Sequence, residues 1–278
     1  MTNRTWPAPA KLNLFLHITG RRADGFHELQ TVFQFLDFGD ELRIEVASDG
    51  AVRRSADVVG VAETADLTLR AARALRGRTG CTLGCTITLD KRIPLGGGLG
   101  GGSSDAATVL VALNQLWRLH LPPDELASIG VTLGADVPVF VRGRAAWAEG
   151  IGEKLTPVEP PQQHYLVITP DCAVDTRAMY AAPDLPRATP RVSWDDFTTG
   201  RTRNDFEAPV RARHPAVAAA LDWAGSYGRA RLSGSGASVF VDFADDASAR
   251  EAHATLPRGW RGFVARGLNR SPLLEGLA

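Results

Sequence analysis

The chain has 278 residues, 44% apolar and 22% charged, a balance that argues against disorder or a fibrous repeat and leaves room for one large core or two modest ones. Lys plus Arg and Asp plus Glu number 31 each, so there is no global basic field to draw in nucleic acid or an anionic membrane. Any anion site must be local.

Cys81, Cys85 and Cys172 are odd in number and lack C-x-x-C spacing, which reads as reduced thiols in a reducing compartment. The early apolar stretch from Leu12 to Ile18 is broken by Asn13 and His17, and no secretory core or membrane span follows. The expected location is the cytoplasm.

In chain order, Leu12, Leu14, Leu16 and Ile18 alternate with Lys11, Asn13, Phe15 and His17, the period of a half-buried strand. Lys11 and Asn13 then share a face roughly 6.5 Å apart, close enough to reach one ligand. Strands are predicted at Thr31 to Phe38, Glu41 to Val46 and Thr82 to Leu89, with a helix from Leu67 to Leu75. Ala106, Leu110, Leu113 and Trp117 recur at helical spacing, predicting a helix from Ser103 to Trp117. Pro122, Pro123 and Asp124 open another helix, and strands are predicted at Val137 to Val141 and Ala145 to Ala148.

Prolines between Pro157 and Pro161 mark a linker, dividing the chain into domains at 1–157 and 162–278. The second half is predicted to contain a strand from His164 to Thr169, a helix from Thr176 to Ala181 and a turn-rich segment from Pro183 to Gly200. A helix from Pro215 to Tyr227, a strand from Ala237 to Phe243, a helix from Ala247 to Thr255 and a strand from Gly262 to Arg266 complete it. Helices interleaved with hairpin-like strand pairs predict an α+β fold rather than a doubly wound parallel sheet.

The chemically informative segment is Pro94, Leu95, Gly96, Gly97, Gly98, Leu99, Gly100, Gly101, Gly102, Ser103, Ser104, set between a strand and a helix. Glycines let backbone N–H groups approach an anion, and the helix start adds free donors and the positive end of its dipole. With the Ser103 and Ser104 hydroxyls these parts form a phosphate cradle, although Ser103 could also simply cap the helix. Gly96, Gly98 and Gly101 satisfy G-x-G-x-x-G, but Asp90 to Pro94 separate them from the strand, unlike a dinucleotide site. The Gly-Lys-Ser/Thr loop and the protein-kinase motif set are absent.

This segment resembles the second signature of the GHMP small-molecule kinases. Pro9-Ala10-Lys11-Leu12-Asn13 resembles the first, and Leu232-Ser233-Gly234-Ser235-Gly236-Ala237 the third, a turn that supports the phosphate loop. The resemblance implies a two-domain α+β kinase fold with its active site in the interdomain cleft, ATP with its Mg²⁺ as cofactors, and phosphorylation of a hydroxyl on a small molecule. Asp136 matches the family's catalytic aspartate, and Lys11 would pair with it. Thr19 to Leu29 and Leu133 to Phe140 resemble the branch whose substrate carries a cytidine diphosphate group, rather than the homoserine or mevalonate types. On that resemblance Phe26 and His27 would stack on cytosine and bond its edge. Tyr180 would stand on the opposite side of the base, and Asn13 and Thr176 would meet the rest of the substrate. Asp66 falls near the adenine, where the family commonly has Asn. Asp105 is read as complementing the helix dipole rather than holding metal. No dedicated metal cage and no partner beyond the small molecule are implied.

Overall fold

The computed structural model describes residues 4–275, so the outermost ends of both expected domains lie outside the described residues. Two long antiparallel strands dominate the first half, β1 (Thr5–Arg21) and β2 (His27–Ala47), paired from Thr5↔Arg43 to Arg21↔His27. Their connection is a tight turn in which the Arg22 N–H donates to the Phe26 carbonyl and Asp24 accepts from the Phe26 N–H. Phe26 and His27 therefore sit at the hairpin tip.

The strand β3 (Val52–Arg54), helix α1 (Leu67–Thr79) and strand β4 (Gly84–Asp90) come next. Helices α2 (Gly101–Leu116), α3 (Pro123–Val131) and α4 (Val137–Arg142) precede a small hairpin, β5 (Ala146–Glu149) with β6 (Lys154–Pro157). The second half contains β7 (His164–Thr169), α5 (Thr176–Ala181), α6 (Trp194–Thr198), α7 (Glu207–Arg213), α8 (Pro215–Ala224), β8 (Arg231–Leu232), β9 (Val239–Phe243), α9 (Asp246–Ala254) and β10 (Arg261–Leu268). The sheet runs β3-β4-β2-β10-β7-β9-β8, with β1 and the β5–β6 hairpin branching from β2. It mixes helices with mostly antiparallel strands, which is the expected α+β class.

Each half has its own core. Leu110, Leu113 and Trp117 of the helix predicted from its periodicity pack in the first with Phe33, Phe35 and Phe140, and Leu166, Phe206 and Val239 belong to the second. A third cluster joins Leu12, Leu14 and Phe15 of β1 to Tyr165, Val167 and Phe240 across the halves. Register pairs Gly267↔Leu36 and Leu268↔Phe35 continue the sheet between them, and Leu273 returns to the first core.

Several predicted elements differ in the structure. Val137–Arg142 is helical, not a strand: Pro138 in the first turn cannot serve a strand ladder, Gly143 at φ 61° ends the helix, and Val137, Pro138, Val139, Phe140 and Val141 are all buried, with no alternation between faces. Thr31 to Phe38 and Glu41 to Val46 are one strand. Gly39-Asp40 looks like a turn, but Gly39 lies so close to β1 that a Cβ would stand 2.4 Å from the Ala8 carbonyl oxygen. The Asp40 carboxylate accepts from the Arg92 and Ile93 N–H groups instead of closing a local turn. β1 is buried on both faces, because residues of both halves cover it. The segment read as turn-rich contains α6, which starts with a Ser193–Asp196 capping box, and α7 was not predicted.

Candidate active site

α2 begins directly from the glycine run. Gly100 is its N-cap at φ 73°, and the N–H groups of Gly101, Gly102 and Ser103 form the first turn, which has no intrahelical acceptors. Gly98 and Gly100 are required by crowding. A Cβ on Gly98 would stand 2.2 Å from the Ser233 carbonyl oxygen, and one on Gly100 would stand 2.9 Å from Phe140 and 3.0 Å from the Lys11 side chain. The third motif braces the loop: Ser233 Oγ donates to the Gly98 carbonyl at 3.0 Å, while the Ala237 and Ser238 N–H groups donate to the carbonyls of Gly96 and Gly97. Buried Asn204, which carries no periodic or spacing signal, holds that motif by donating from Nδ2 to the Leu232 and Gly234 carbonyls, both at 2.8 Å.

Lys11 and Asp136, 125 positions apart in the chain, meet here. Lys11 Nζ lies 3.2 Å from Asp136 Oδ2, with the lysine side chain 4% exposed and the aspartate 31%. The ammonium also donates to Asn13 Oδ1 at 2.5 Å and to the Gly98 carbonyl at 3.2 Å. Asn13 Nδ2 donates to Thr31 Oγ1 at 3.0 Å, and that hydroxyl donates to the Phe15 carbonyl. Both ends of the Asn13 amide are therefore committed, and its evident effect is to orient Lys11. Thr31 carried no sequence signal, because its partners come from the facing strand.

These groups line a cleft of about 320 Å³ with Gly98, Gly100, Ser103, Ala135, Thr176 and Tyr180. A second cavity of about 550 Å³ is lined by Arg21, Phe26, His27, Thr176, Arg177 and Tyr180. Ala135, Ile151, Thr176 and Tyr180 line both. Phe26 is 59% exposed at the hairpin tip. Tyr180 stacks on His27 with ring centroids 5.0 Å apart, and burial, then the negative charge of Asp136, push its phenol up to about 12. Thr176 Oγ1 and Ser235 Oγ are 2.7 Å apart, joining α5 to the third motif.

The remaining predicted residues divide. Gly102 lines a third cavity of about 140 Å³ with Leu67, Leu95, Asp66, Lys91 and Asp105. Pro94, Gly96, Gly97 and Gly101 line neither this cavity nor the cleft, and they shape the loop from behind. The Leu99 side chain is in the shared core while its carbonyl accepts from the Lys11 N–H. Ser104 is wholly buried and its N–H donates to the Gly100 carbonyl, so this serine faces the interior and not an anion. Asp66 caps α1 by accepting from the Thr68 N–H and hydroxyl and pairs with Arg54 at 3.4 Å.

Asp105 does not face solvent to complement a dipole. It is buried and bonded to Lys91 Nζ at 2.7 Å, and Lys91 also meets Asp40 at 2.6 Å. Lys91 carries no sequence signal, since nothing local shows that Asp40 and Asp105 converge on it. Burial raises Asp105 to about 8, opposed by Lys91 and reinforced by Asp40. An aspartate that ionises at 3.8 when unfolded and near 8 when folded binds its proton more tightly in the native state, so stability falls as pH rises between those values and levels off above. Melting temperatures measured from pH 5 to 8 should decline in the wild type, and Asp105→Asn should flatten that decline; parallel profiles would contradict the assignment.

The two halves of the chain match the two halves of a known kinase architecture. Residues 66–144 match the GHMP kinases N terminal domain and residues 193–262 the GHMP kinases C terminal domain. The chain belongs to the GHMP kinase family, ATP-dependent kinases of small molecules. Among its relatives, a 4-diphosphocytidyl-2-C-methyl-D-erythritol kinase of Halorhodospira halophila is 55% identical over 276 residues, covering 98% of this chain and 96% of that one. The Pseudomonas savastanoi protein of the same name is 54% identical, covering 96% and 93%. A crystal structure of 4-(cytidine 5'-diphospho)-2C-methyl-D-erythritol kinase matches with a TM-score of 0.81 at 34% identity, covering 95% of this chain and 99% of that one. A mevalonate kinase structure, at TM-score 0.68 and 16% identity, shares the fold.

Proposed function

We propose that the chain transfers the γ-phosphoryl group of ATP to the 2-hydroxyl of 4-diphosphocytidyl-2-C-methyl-D-erythritol, a step of the non-mevalonate route to isoprenoid precursors. The observation that carries this reading is the continuity of the aromatic cavity at Phe26, His27 and Tyr180 with the Lys11–Asp136 cleft. A base held at the hairpin tip leaves the rest of the substrate to extend along Thr176 toward Asp136. Arg21 and Arg177, which line the cavity, supply positive charge suited to a diphosphate.

Phosphoryl transfer depends on positioning and charge neutralisation more than on covalent chemistry, and no phosphoenzyme is required. In this reading the N–H groups at the start of α2 hold the ATP phosphates and Asp136 accepts the hydroxyl proton. Lys11, held by Asn13 and the Gly98 carbonyl, offsets charge on the transferring group. Among the described residues no group of three His, Cys, Asp or Glu side chains could cage a metal. Mg²⁺ would be held with the nucleotide, the Ser103 hydroxyl in the cleft being a fitting oxygen donor, and would supply further neutralisation of the phosphates. In this reading the chain divides at 157–162, between the regions that match the two kinase domains, and works in the cytoplasm, a compartment that suits ATP and free thiols.

An ADP-release assay with the cytidine diphosphate substrate beside homoserine and mevalonate tests the reading, and preference for either of the latter would overturn it. Within that assay Phe26→Ala should raise KM for the cytidyl substrate by about 5- to 150-fold, the worth of one base–aromatic stack. KM for ATP should stay put, and Phe26→Tyr should keep the wild-type value.

A further inference from the structure

Arg187, in the segment after α5, belongs to none of the motifs, yet its guanidinium joins the two walls of the base cavity. Nη1 donates to the Leu185 carbonyl at 3.1 Å, and Nη2 donates to the carbonyls of Tyr180 at 3.0 Å and Ala182 at 2.7 Å. The Tyr180 and Ala182 carbonyls stand at the end of α5, where a helix leaves acceptors free. Nε donates to His27 Nε2 at 3.3 Å. With three bonds to backbone, the guanidinium is the fixed partner and the imidazole the fitted one.

We propose that Arg187 is a positioning residue that fixes both the orientation and the tautomer of His27, so that Nδ1–H is presented as a donor to an acceptor on the pyrimidine ring. A guanidinium has only donors, so the nitrogen facing it must carry the lone pair. In a neutral imidazole the proton then sits on Nδ1. Among the described residues Nδ1 has no hydrogen-bond partner and is not sealed in the interior, which leaves it available to a ligand in the cavity His27 lines. Stacking on Tyr180 holds the ring plane, while the Arg187 bond sets its rotation within that plane. Because His27 begins β2 and Tyr180 lies on α5, the same guanidinium also sets the distance between the walls.

The charges around the ring agree with this role. Burial first, then Arg187 and Arg21, lower the pKa of His27 from its ordinary value. Arg21 comes from the end of β1, Arg187 from the segment after α5, and the other charged group lining the cavity, Arg177 of α5, is also cationic. Protonating Nε2 would set N–H against N–H, so the neutral ring is the form that fits.

The inference rests on the cavity being the cytidine site, but its first test does not. Long-range ¹H–¹⁵N correlation of ¹⁵N-histidine-labelled, ligand-free protein should show His27 as the Nδ1–H tautomer. In Arg187→Ala the tautomer should become mixed and the His27 pKa should rise. KM for the cytidyl substrate should increase by about 3- to 10-fold, the worth of one hydrogen bond, with KM for ATP and kcat unchanged. If the alanine variant fails to fold, Arg187→Lys is read by tautomer and KM, since an ammonium keeps the charge without the planar fork. An Nε2–H tautomer in the wild type would overturn the proposal, as would a variant with the same tautomer and KM as wild type. A fixed Nδ1–H tautomer in an enzyme that ignores the cytidyl substrate would instead remove the substrate reading and leave the tautomer lock standing.

Discussion

Replacing Asp136 with Asn, or Lys11 with Met, is expected to lower kcat by about 100- to 10,000-fold, the range typical of a lost general base or of a lost charge at a reacting centre. Both changes are close to isosteric. Asp136 is partly exposed and has no side-chain cap bond to lose, so Asp136→Asn costs only the counter-charge of Lys11 and should lower the melting temperature modestly. Lys11 is different, because its buried ammonium holds Asn13 and the Gly98 carbonyl, and Met leaves both acceptors short of a donor. Lys11→Met should therefore lose more stability than Asp136→Asn, while both lose turnover. Steady-state kinetics beside thermal melts separate the two, and near wild-type turnover in a folded Asp136→Asn enzyme would remove this aspartate from the chemistry.

Gly98→Ala is expected to be the most damaging change in the phosphate loop. Its φ of 73° already costs a side chain about 1–2 kcal/mol, and the added Cβ would stand 2.2 Å from the Ser233 carbonyl oxygen and 2.9 Å from that of Gly236. Those atoms are backbone and cannot rotate aside. Either the loop or the third motif must move, which adds roughly 1–3 kcal/mol of strain and displaces the carbonyl that Lys11 grips. A large rise in KM for ATP, a lower kcat and a lower melting temperature should appear together. Gly96→Ala is the control: φ is 68° but nothing lies within 4 Å of the new methyl, so only the dihedral cost remains. Equal effects of the two substitutions would show that crowding against Ser233 is not what selects glycine at 98.

Elements whose cause is local were legible in the sequence. α2 announced itself by apolar spacing behind a glycine run, and α5 and β7 fall where they were expected. Lys11 and Asn13 were placed on one face by the period of a strand, and they are hydrogen-bonded. The failures share a cause, which is that a residue's local preference was overridden by a distant partner. Asp40 looks like a turn residue because its three partners, Lys91, Arg92 and Ile93, lie about fifty positions away. Val137 to Val141 reads as a strand but packs against α2 and α3, and as a helix it satisfies its backbone internally without a neighbouring strand. Ser104 looks like a twin of Ser103, yet a helix turns successive residues by about 100°, so one lines the cleft and the next is in the core.

By itself the sequence determined the chemistry on offer: a glycine-rich helix start for phosphates, a strand lysine, an aspartate far along the chain, and a Phe-His pair after a turn. Short-range spacing and residue type are enough for that, because they fix which groups a segment can present. Only the tertiary structure decided which groups meet. The Lys11–Asp136 pair, the Ser233 brace under Gly98, the Asp40–Lys91–Asp105 cluster and the Arg187–His27 bond each join segments whose separation in the chain carries no energetic signal until the two cores close around β1.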